Sequence, residues 1–475
     1  MAKKSTTANK SFAKKKNINK DVEIKAPDYM AVIWDHLTPP LCEEVFAITR
    51  DRERQRKWTL FALVWFWIGL LQSEQSSQTR AVLEGQKGHP LFPDIDASPE
   101  SFFLKIQNVR PVFFKNVFSA FTNAIRPEFP GNFQKDLGIS EKDFPEIYAA
   151  DGSRLAKVGR LLKVARNTTK AIIPGSMEGV YDLRRGCLHD LWFDPDGCVS
   201  EISMFNRVLP NITRGALLAT DRYYPKPVIW TELADLGLWM VSRYNKTVGK
   251  KKVKELARIR NSRVCVDDWL VEMGGSQYGT EPVLLRWVHV WNSEFDMILI
   301  TNVLDPKKLS PLQLMSLYRQ RWSVERMYLA MKEILELNHL FNANPAAVGQ
   351  QTYATAILYN ALRLAQAKIA DRAGISPEML SPDKLFPALM DRMIKALYIQ
   401  MGAVLMFEEL SKRNPKIRKA EMPQIALDHP LLNLWLAEYL VEKRSDRRRK
   451  RRFCQGRKTW TSFNKIPGGK KYIRN

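Results

Sequence analysis

Apolar positions recur at helical spacing from residue 30 to about 130, and the chain then changes rhythm. The run 58–72, WTLFALVWFWIGLLQ, is apolar almost all round, which predicts a buried helix. The stretch 98–107 opens on Ser-Pro-Glu, a helix start, and 111–125 continues the helical pattern. The Pro/Gly-rich joint RPEFPGN (126–132) marks a boundary. Short apolar runs with turns follow at 144–153, 170–183, 187–195 and 215–225, and Pro225 and Pro227 close the last of them. Within 236–305 the runs 263–273, 281–291 and 296–304 read as strands, with an Asn-Ser turn between the last two. Helical periodicity returns in 316–337, where Ser310 is the expected N-cap and Pro311 the first helical residue. Further helices are predicted over 352–370 and 383–413, and no internal repeat is present.

The stretch 316–337, SLYRQRWSVERMYLAMKEILEL, has two faces. At about 100° per residue, seven residues fall roughly 20° short of two turns. Tyr318, Glu325 and Lys332 therefore form one stripe, joined one turn before Glu325 by Arg321. Val324, Tyr328, Met331 and Leu335 form an apolar stripe beside it, so the helix can bury one face and present the other. An Arg four residues before a Glu is the less favourable order for helix stability, which leaves the polar stripe poorly explained by stability alone.

Charge changes the picture more than composition does. The 475 residues carry 74 Lys and Arg against 50 Asp and Glu, a formal +24, which favours a polyanionic partner. Of that excess, +7 lies in residues 1–20 and +12 in 441–475, leaving about +5 (24 − 19) in the rest. The five cysteines are scattered and never form C-x-x-C, which argues against a disulfide framework or a zinc ribbon and suits a reducing compartment. No secretory leader pattern is present, and the most apolar run, 60–71, is too short to span a bilayer. The expected layout is a disordered basic arm (1–29), a helical N-terminal region (30–130), a core in two pieces (131–235 and 306–375), a β-rich insertion (236–305), a C-terminal helical region (376–440) and a basic tail (441–475). The N-terminal helices suit either DNA-end binding or a packed scaffold, since no recognition-helix pattern distinguishes them.

Candidate chemistry lies in the acids. Asp151 and Asp221 each close a short apolar run, and Glu325 stands on the helix face. Asp182, Asp190, Asp194, Asp267, Asp268 and Glu336 are rivals, because an Asp after a strand is commonly a turn or cap residue. Metal-assisted phosphodiester cleavage needs several carboxylates converging on hard cations, and the fold can bring distant acids together.

A resemblance decides among them. Tyr318-x2-Arg321-x3-Glu325-x6-Lys332 resembles the Y-(2)-R-(3)-E-(6)-K signature of transposases of the insertion sequence four family, within the DDE superfamily. Asp151-Gly152-Ser153 and Ala219-Thr220-Asp221-Arg222-Tyr223 resemble the ends of that family's first two acid-bearing strands. The resemblance covers roughly 145–340. It implies an α/β fold: a ribonuclease-H-like catalytic core interrupted by a β-rich insertion, with helical N-terminal and C-terminal regions. It implies that Asp151, Asp221 and Glu325 are catalytic and ligate two Mg²⁺ ions, with Mn²⁺ as substitute. Arg321, Lys332 and Arg222 would contact DNA phosphates, and Tyr318 would hydrogen-bond a phosphate or orient Arg321. The expected partner is double-stranded DNA, both transposon ends and target, bound by a homodimer in the cytoplasm at the nucleoid, with no membrane. Trp269, Trp287 and Trp291 lie in the insertion, where some relatives stack a flipped base; core packing is the expectation for each. The rival expectations are a metal-dependent nuclease of the same fold and a non-catalytic DNA-binding protein.

Overall fold

The computed structural model describes residues 29–49, 56–130, 138–156, 171–261, 264–275, 279–342, 344–394 and 460–461. The arm 1–28, nearly all of the tail 441–475 and most of 376–440 lie outside these residues. In chain order come α1 (Tyr29–His36), α2 (Pro39–Thr49), α3 (Leu60–Gln72), α4 (Gln78–Gln86), α5 (Pro99–Asn108) and α6 (Pro111–Ile125). Then follow β1 (Ile147–Arg154), β2 (Ala171–Ile172), β3 (Ser176–Asp182), β4 (Cys187–Asp194), α7 (Glu201–Val208), β5 (Leu217–Thr220), α8 (Pro227–Leu236) and β6 (Trp239–Arg243). The chain continues through β7 (Lys251–Arg260), β8 (Cys265–Gly275), β9 (Thr280–Trp291), β10 (Asp296–Thr301), α9 (Pro311–Gln320), α10 (Trp322–Leu329) and α11 (Pro345–Arg372). A further helix begins at 382, and β2 pairs in parallel with 460–461.

A mixed nine-stranded sheet, in the order β4-β3-β1-β5-β6-β10-β9-β8-β7, organises the molecule. β1 pairs in parallel with β5 and β5 with β6, while the other neighbours are antiparallel. Alternation along each central strand sends side chains to opposite faces. Ile147, Ala149, Leu217, Ala219 and Val241 join a core shared with the N-terminal helices, α10 and α11. Tyr148, Ala150, Leu218 and Met240 join a second core built with α7 and α8. Strands apolar on both faces are thereby explained: helices cover both sides.

Helix α11 is buried along almost its whole length. A Cβ at Gly349 would stand 2.7 Å from Pro111 and 3.0 Å from Phe193, so glycine there lets α6 and β4 close on α11. Its buried polar residues are paired. Gln350 donates to the carbonyls of Ile106 and Val109 (2.8 and 2.7 Å) and accepts from the Trp67 indole (3.0 Å). Asn360 exchanges two hydrogen bonds with the Leu188 backbone, pinning β4 to α11. Each such pairing removes the penalty of a buried polar group and fixes the N-terminal helices to the sheet through one shared core.

Three local expectations change. The strand holding Asp151 does not end at the acid but runs on to Arg154, because β3 continues to pair with it. The helix starts at Pro311 as expected, but the single helix predicted through 337 is segmented: Arg321 separates α9 from α10, residues 330–334 are π-helical, and Glu336 has φ 53°. The edge strand β7 lacks any apolar alternation, so its sequence does not read as a strand. Ser310 caps α9 as its sequence predicts, in a reciprocal box with Gln313. Among the described residues no helix is long and apolar enough to cross a membrane.

Candidate active site

Parallel pairing brings two of the candidate acids side by side. Ala149 and Ala219 are register partners, and Asp151 and Asp221 each lie two residues beyond them at the same edge of the sheet. The backbone at Asp221 is held by the Ser242 hydroxyl, which donates to its carbonyl at 2.7 Å and to that of Thr220 at 3.2 Å. Helix α10 packs over β1 and β3, with Val324 and Tyr328 of its apolar stripe buried and Met331 buried in the π-helical segment that follows. Its adjacent face therefore looks onto the same strand ends.

Arg321 joins the acids. One guanidinium nitrogen donates to Asp151 Oδ2 at 3.1 Å and another to Glu325 Oε1 at 2.8 Å. The side chain is 7% exposed, against 19% for Asp151 and 29% for Glu325. Its Nε is buried without a hydrogen-bond partner among the described residues. Tyr318, also buried, directs its hydroxyl to Asp221 Oδ1 at 3.4 Å. Burial pushes the Tyr318 phenol above its ordinary range. The structure thus brings Asp151, Asp221, Glu325, Tyr318 and Arg321 together.

Lys332 reaches β1 by a different contact. Its ammonium donates to Ser153 Oγ at 2.7 Å and to the Arg154 carbonyl at 2.5 Å, and burial lowers its pKa to about 8. Arg222 is exposed, and its backbone N–H donates to Asp221 Oδ1 at 2.7 Å. Trp269 and Trp287 are cross-strand partners on β8 and β9, and Trp287 is buried. Lys252 lies over the Trp269 ring at 4.1 Å and Arg260 over Trp291 at 4.6 Å.

Burial is the main cause that raises the Asp151 pKa to about 7; Arg321 opposes it, while Glu325, Asp221 and Glu201 add to it. Sequence reasoning misses two of the acids here, Glu201 and Glu178. Glu178, on β3, is fully buried, and its carboxyl is held well above the usual range by burial; it accepts from the Tyr224 hydroxyl at 3.0 Å. A Cβ at Gly152 would lie 2.8 Å from Glu201 Cγ and 3.1 Å from Glu178 Oε2, so the glycine after Asp151 makes room for these acids. The available signal for Glu178 is an acid in the middle of the strand-like SMEGVYD run, between Met177 and Gly179.

The rival aspartates have local partners. Asp182 pairs with Arg126 and Arg185, Asp267 with Arg260, and Asp268 with the fully buried Arg286 at 2.7 Å. Asp190 caps the Leu191 N–H and accepts from Asn211, and Asp194 pairs with Arg207. Each is satisfied as a structural residue. Glu336 is exposed and follows the helical segment.

The donor set suits a hard divalent cation: carboxylate oxygens, with no thiolate or imidazole among the residues that bear on Asp151. Among the described residues, no three His, Cys, Asp or Glu side chains are grouped closely enough to hold an ion as they stand. Arg321, in salt-bridge contact with both Asp151 and Glu325, occupies part of that space.

Over part of its length the chain is similar to known proteins. Residues 163–361 match the family model described as the Transposase DDE domain. The match includes Asp221, Tyr318, Arg321, Glu325 and Lys332 and begins after Asp151. A curated protein of Sinorhizobium fredii (strain NBRC 101917 / NGR234), named "Putative transposase y4zB", is 28% identical over 159 residues, which is 32% of this chain and 44% of that protein. The chain thus spans less than half the length of that relative. Both are likenesses to transposases over part of the chain. A solved synaptic complex of piggyBac transposase with hairpin DNA aligns over 88% of this chain and 86% of that one, at 11% identity and a TM-score of 0.38, too low to define a shared fold.

Proposed function

We propose that this protein is a DNA transposase of the insertion sequence four family that cuts at transposon ends and joins the freed 3′-OH to target DNA. The observation that carries the reading is the meeting of Asp151 and Asp221, from adjacent parallel strands, with Glu325 on α10 through Arg321 and Tyr318. Three antiparallel strands followed by two parallel ones, β4-β3-β1-β5-β6, support a ribonuclease-H-like core. Of the expected insertion 236–305, β6 pairs with β5 as the last strand of that core, and β10, β9, β8 and β7 extend the sheet beyond it.

Asp151, Asp221 and Glu325 would hold two Mg²⁺ ions, or Mn²⁺ in their place. The ions would lower the pKa of the attacking water or 3′-OH and offset charge on the leaving oxygen. Arg321, with its planar fork, binds a DNA phosphate. Tyr318 orients Asp221, and exposed Arg222 meets the DNA backbone. Lys332 braces the strand beyond Asp151 and adds positive charge beside the phosphate path. The basic arms supply sequence-independent affinity for duplex DNA. A homodimer on paired ends, in the cytoplasm at the nucleoid, completes the reading.

The test is nicking and strand transfer on a plasmid carrying the element's inverted repeats. The parent should nick only with Mg²⁺ or Mn²⁺ and then join ends, and Asp151→Asn, Asp221→Asn and Glu325→Gln should each abolish both steps while binding ends. Nicking without joining would identify a nuclease of the same fold.

A further inference from the structure

We propose that Arg321 is a latch on the metal site: its guanidinium bridges Asp151 and Glu325 and must release at least one carboxylate for a divalent ion to bind. This rests on the reading of those acids as metal ligands. The geometry is specific. Two nitrogens of one planar group reach two different carboxylates, at 3.1 and 2.8 Å, from a position nearly closed to solvent. A cation that satisfies both acids from the side chain of α10's own N-cap residue does the electrostatic work an incoming ion would do. It thereby steadies a group of acids that would repel one another when no ion is bound.

The release has somewhere to go. The Arg321 Nε is buried and has no hydrogen-bond partner among the described residues, so the present pose leaves one donor unused. A DNA phosphate offers acceptors in the fork geometry that guanidinium prefers. Binding of an ion at the acids and of a phosphate at Arg321 would then favour each other, because each removes the other's competitor. Such coupling is reciprocal by linkage. The fold would in this way discourage metal loading before DNA arrives.

The experiment measures Mn²⁺ affinity of the full chain without DNA, by calorimetry or by the electron paramagnetic resonance signal of free Mn²⁺. It compares the parent with Arg321→Ala, Arg321→Lys and Asp151→Asn, each checked for folding by thermal unfolding. Arg321→Ala should bind Mn²⁺ about tenfold more tightly, the scale of one charged hydrogen bond. Arg321→Lys keeps the charge but loses the two-pronged bridge, and its affinity should fall between Ala and the parent. Tighter binding in Arg321→Ala with no change in Arg321→Lys would overturn the latch, because net charge alone would then explain the effect. Equal or weaker binding in Arg321→Ala, with Asp151→Asn abolishing it, would overturn the latch and leave the metal site standing. Mn²⁺ binding untouched by Asp151→Asn, or none in any variant, would overturn the metal-site reading and the latch with it.

Discussion

The Tyr328 hydroxyl donates to the main-chain carbonyl of Asp151 at 2.9 Å, tying the α10 helix to the strand residue it must face. Tyr328 belongs to the apolar stripe of its helix, yet its buried phenol ends on β1. A Cβ at Gly179, the register partner of Asp151, would lie 2.8 Å from that oxygen, so glycine on β3 leaves the space the phenol uses. Tyr328→Phe keeps the ring and removes the donor to a part-buried carbonyl. It should lower unfolding free energy by about 1–3 kcal/mol. Urea unfolding checks the stability, and nicking should fall more than end binding.

Gly152→Ala tests the packing of the acids themselves. The added methyl would meet Glu201 Cγ at 2.8 Å and Glu178 Oε2 at 3.1 Å, and neither atom is the free end of a surface chain. Overpacking of this kind costs about 1–3 kcal/mol. A lowered midpoint of thermal unfolding together with lost cleavage is the expected outcome, and an unchanged midpoint would mean that the acids have room to spare.

Stability should fall as pH rises through the window set by Asp151. Its folded pKa is raised from 3.8 to about 7, so between those values the folded protein keeps a proton that the unfolded chain has lost. Stability is therefore highest at the acid end of the window and lower above it. Asp151→Asn removes the titrating group. Thermal unfolding at pH 5 and pH 8, without divalent ions, should show a smaller drop for Asp151→Asn than for the parent.

Removing 441–475 should weaken DNA binding and flatten its salt dependence, since that segment carries fourteen Lys and Arg against two acids. Every phosphate that the truncated chain leaves unneutralised lowers the log–log slope by about 0.9. Titrations at several salt concentrations measure it, and an unchanged slope would exclude the tail as a DNA arm.

Much of this arrangement is legible in the chain because it rests on local patterns. The stripe of Tyr318, Arg321, Glu325 and Lys332 follows from helical period, and Ser310 with Pro311 marks where the helix starts. The apolar runs that lead to Asp151 and Asp221 are strands buried on both faces. What is not legible depends on the third dimension. Glu178 and Glu201 enter the acid group through sheet pairing and the seating of α7, which no spacing encodes. The β7 strand carries lysines and arginines where alternation would be sought, because it is an exposed edge held by backbone pairing to β8. Lys332 lies on the same stripe as Glu325, yet the π-helical segment carries it to the Ser153 hydroxyl.

Whether Asp151, Asp221 and Glu325 together hold the catalytic ions is tested most directly by iron-directed cleavage. Fe²⁺ substituted for Mg²⁺ in the end-bound protein reduces added hydrogen peroxide to hydroxide and hydroxyl radical, with ascorbate recycling the Fe³⁺ formed; the radicals cut the backbone beside the ion, and the fragments map its position. Cuts should fall near 151, 221 and 325, be suppressed by excess Mg²⁺ and disappear in Glu325→Gln. Cuts confined to other segments, or a pattern unchanged in Glu325→Gln, would contradict a shared metal site at these three acids.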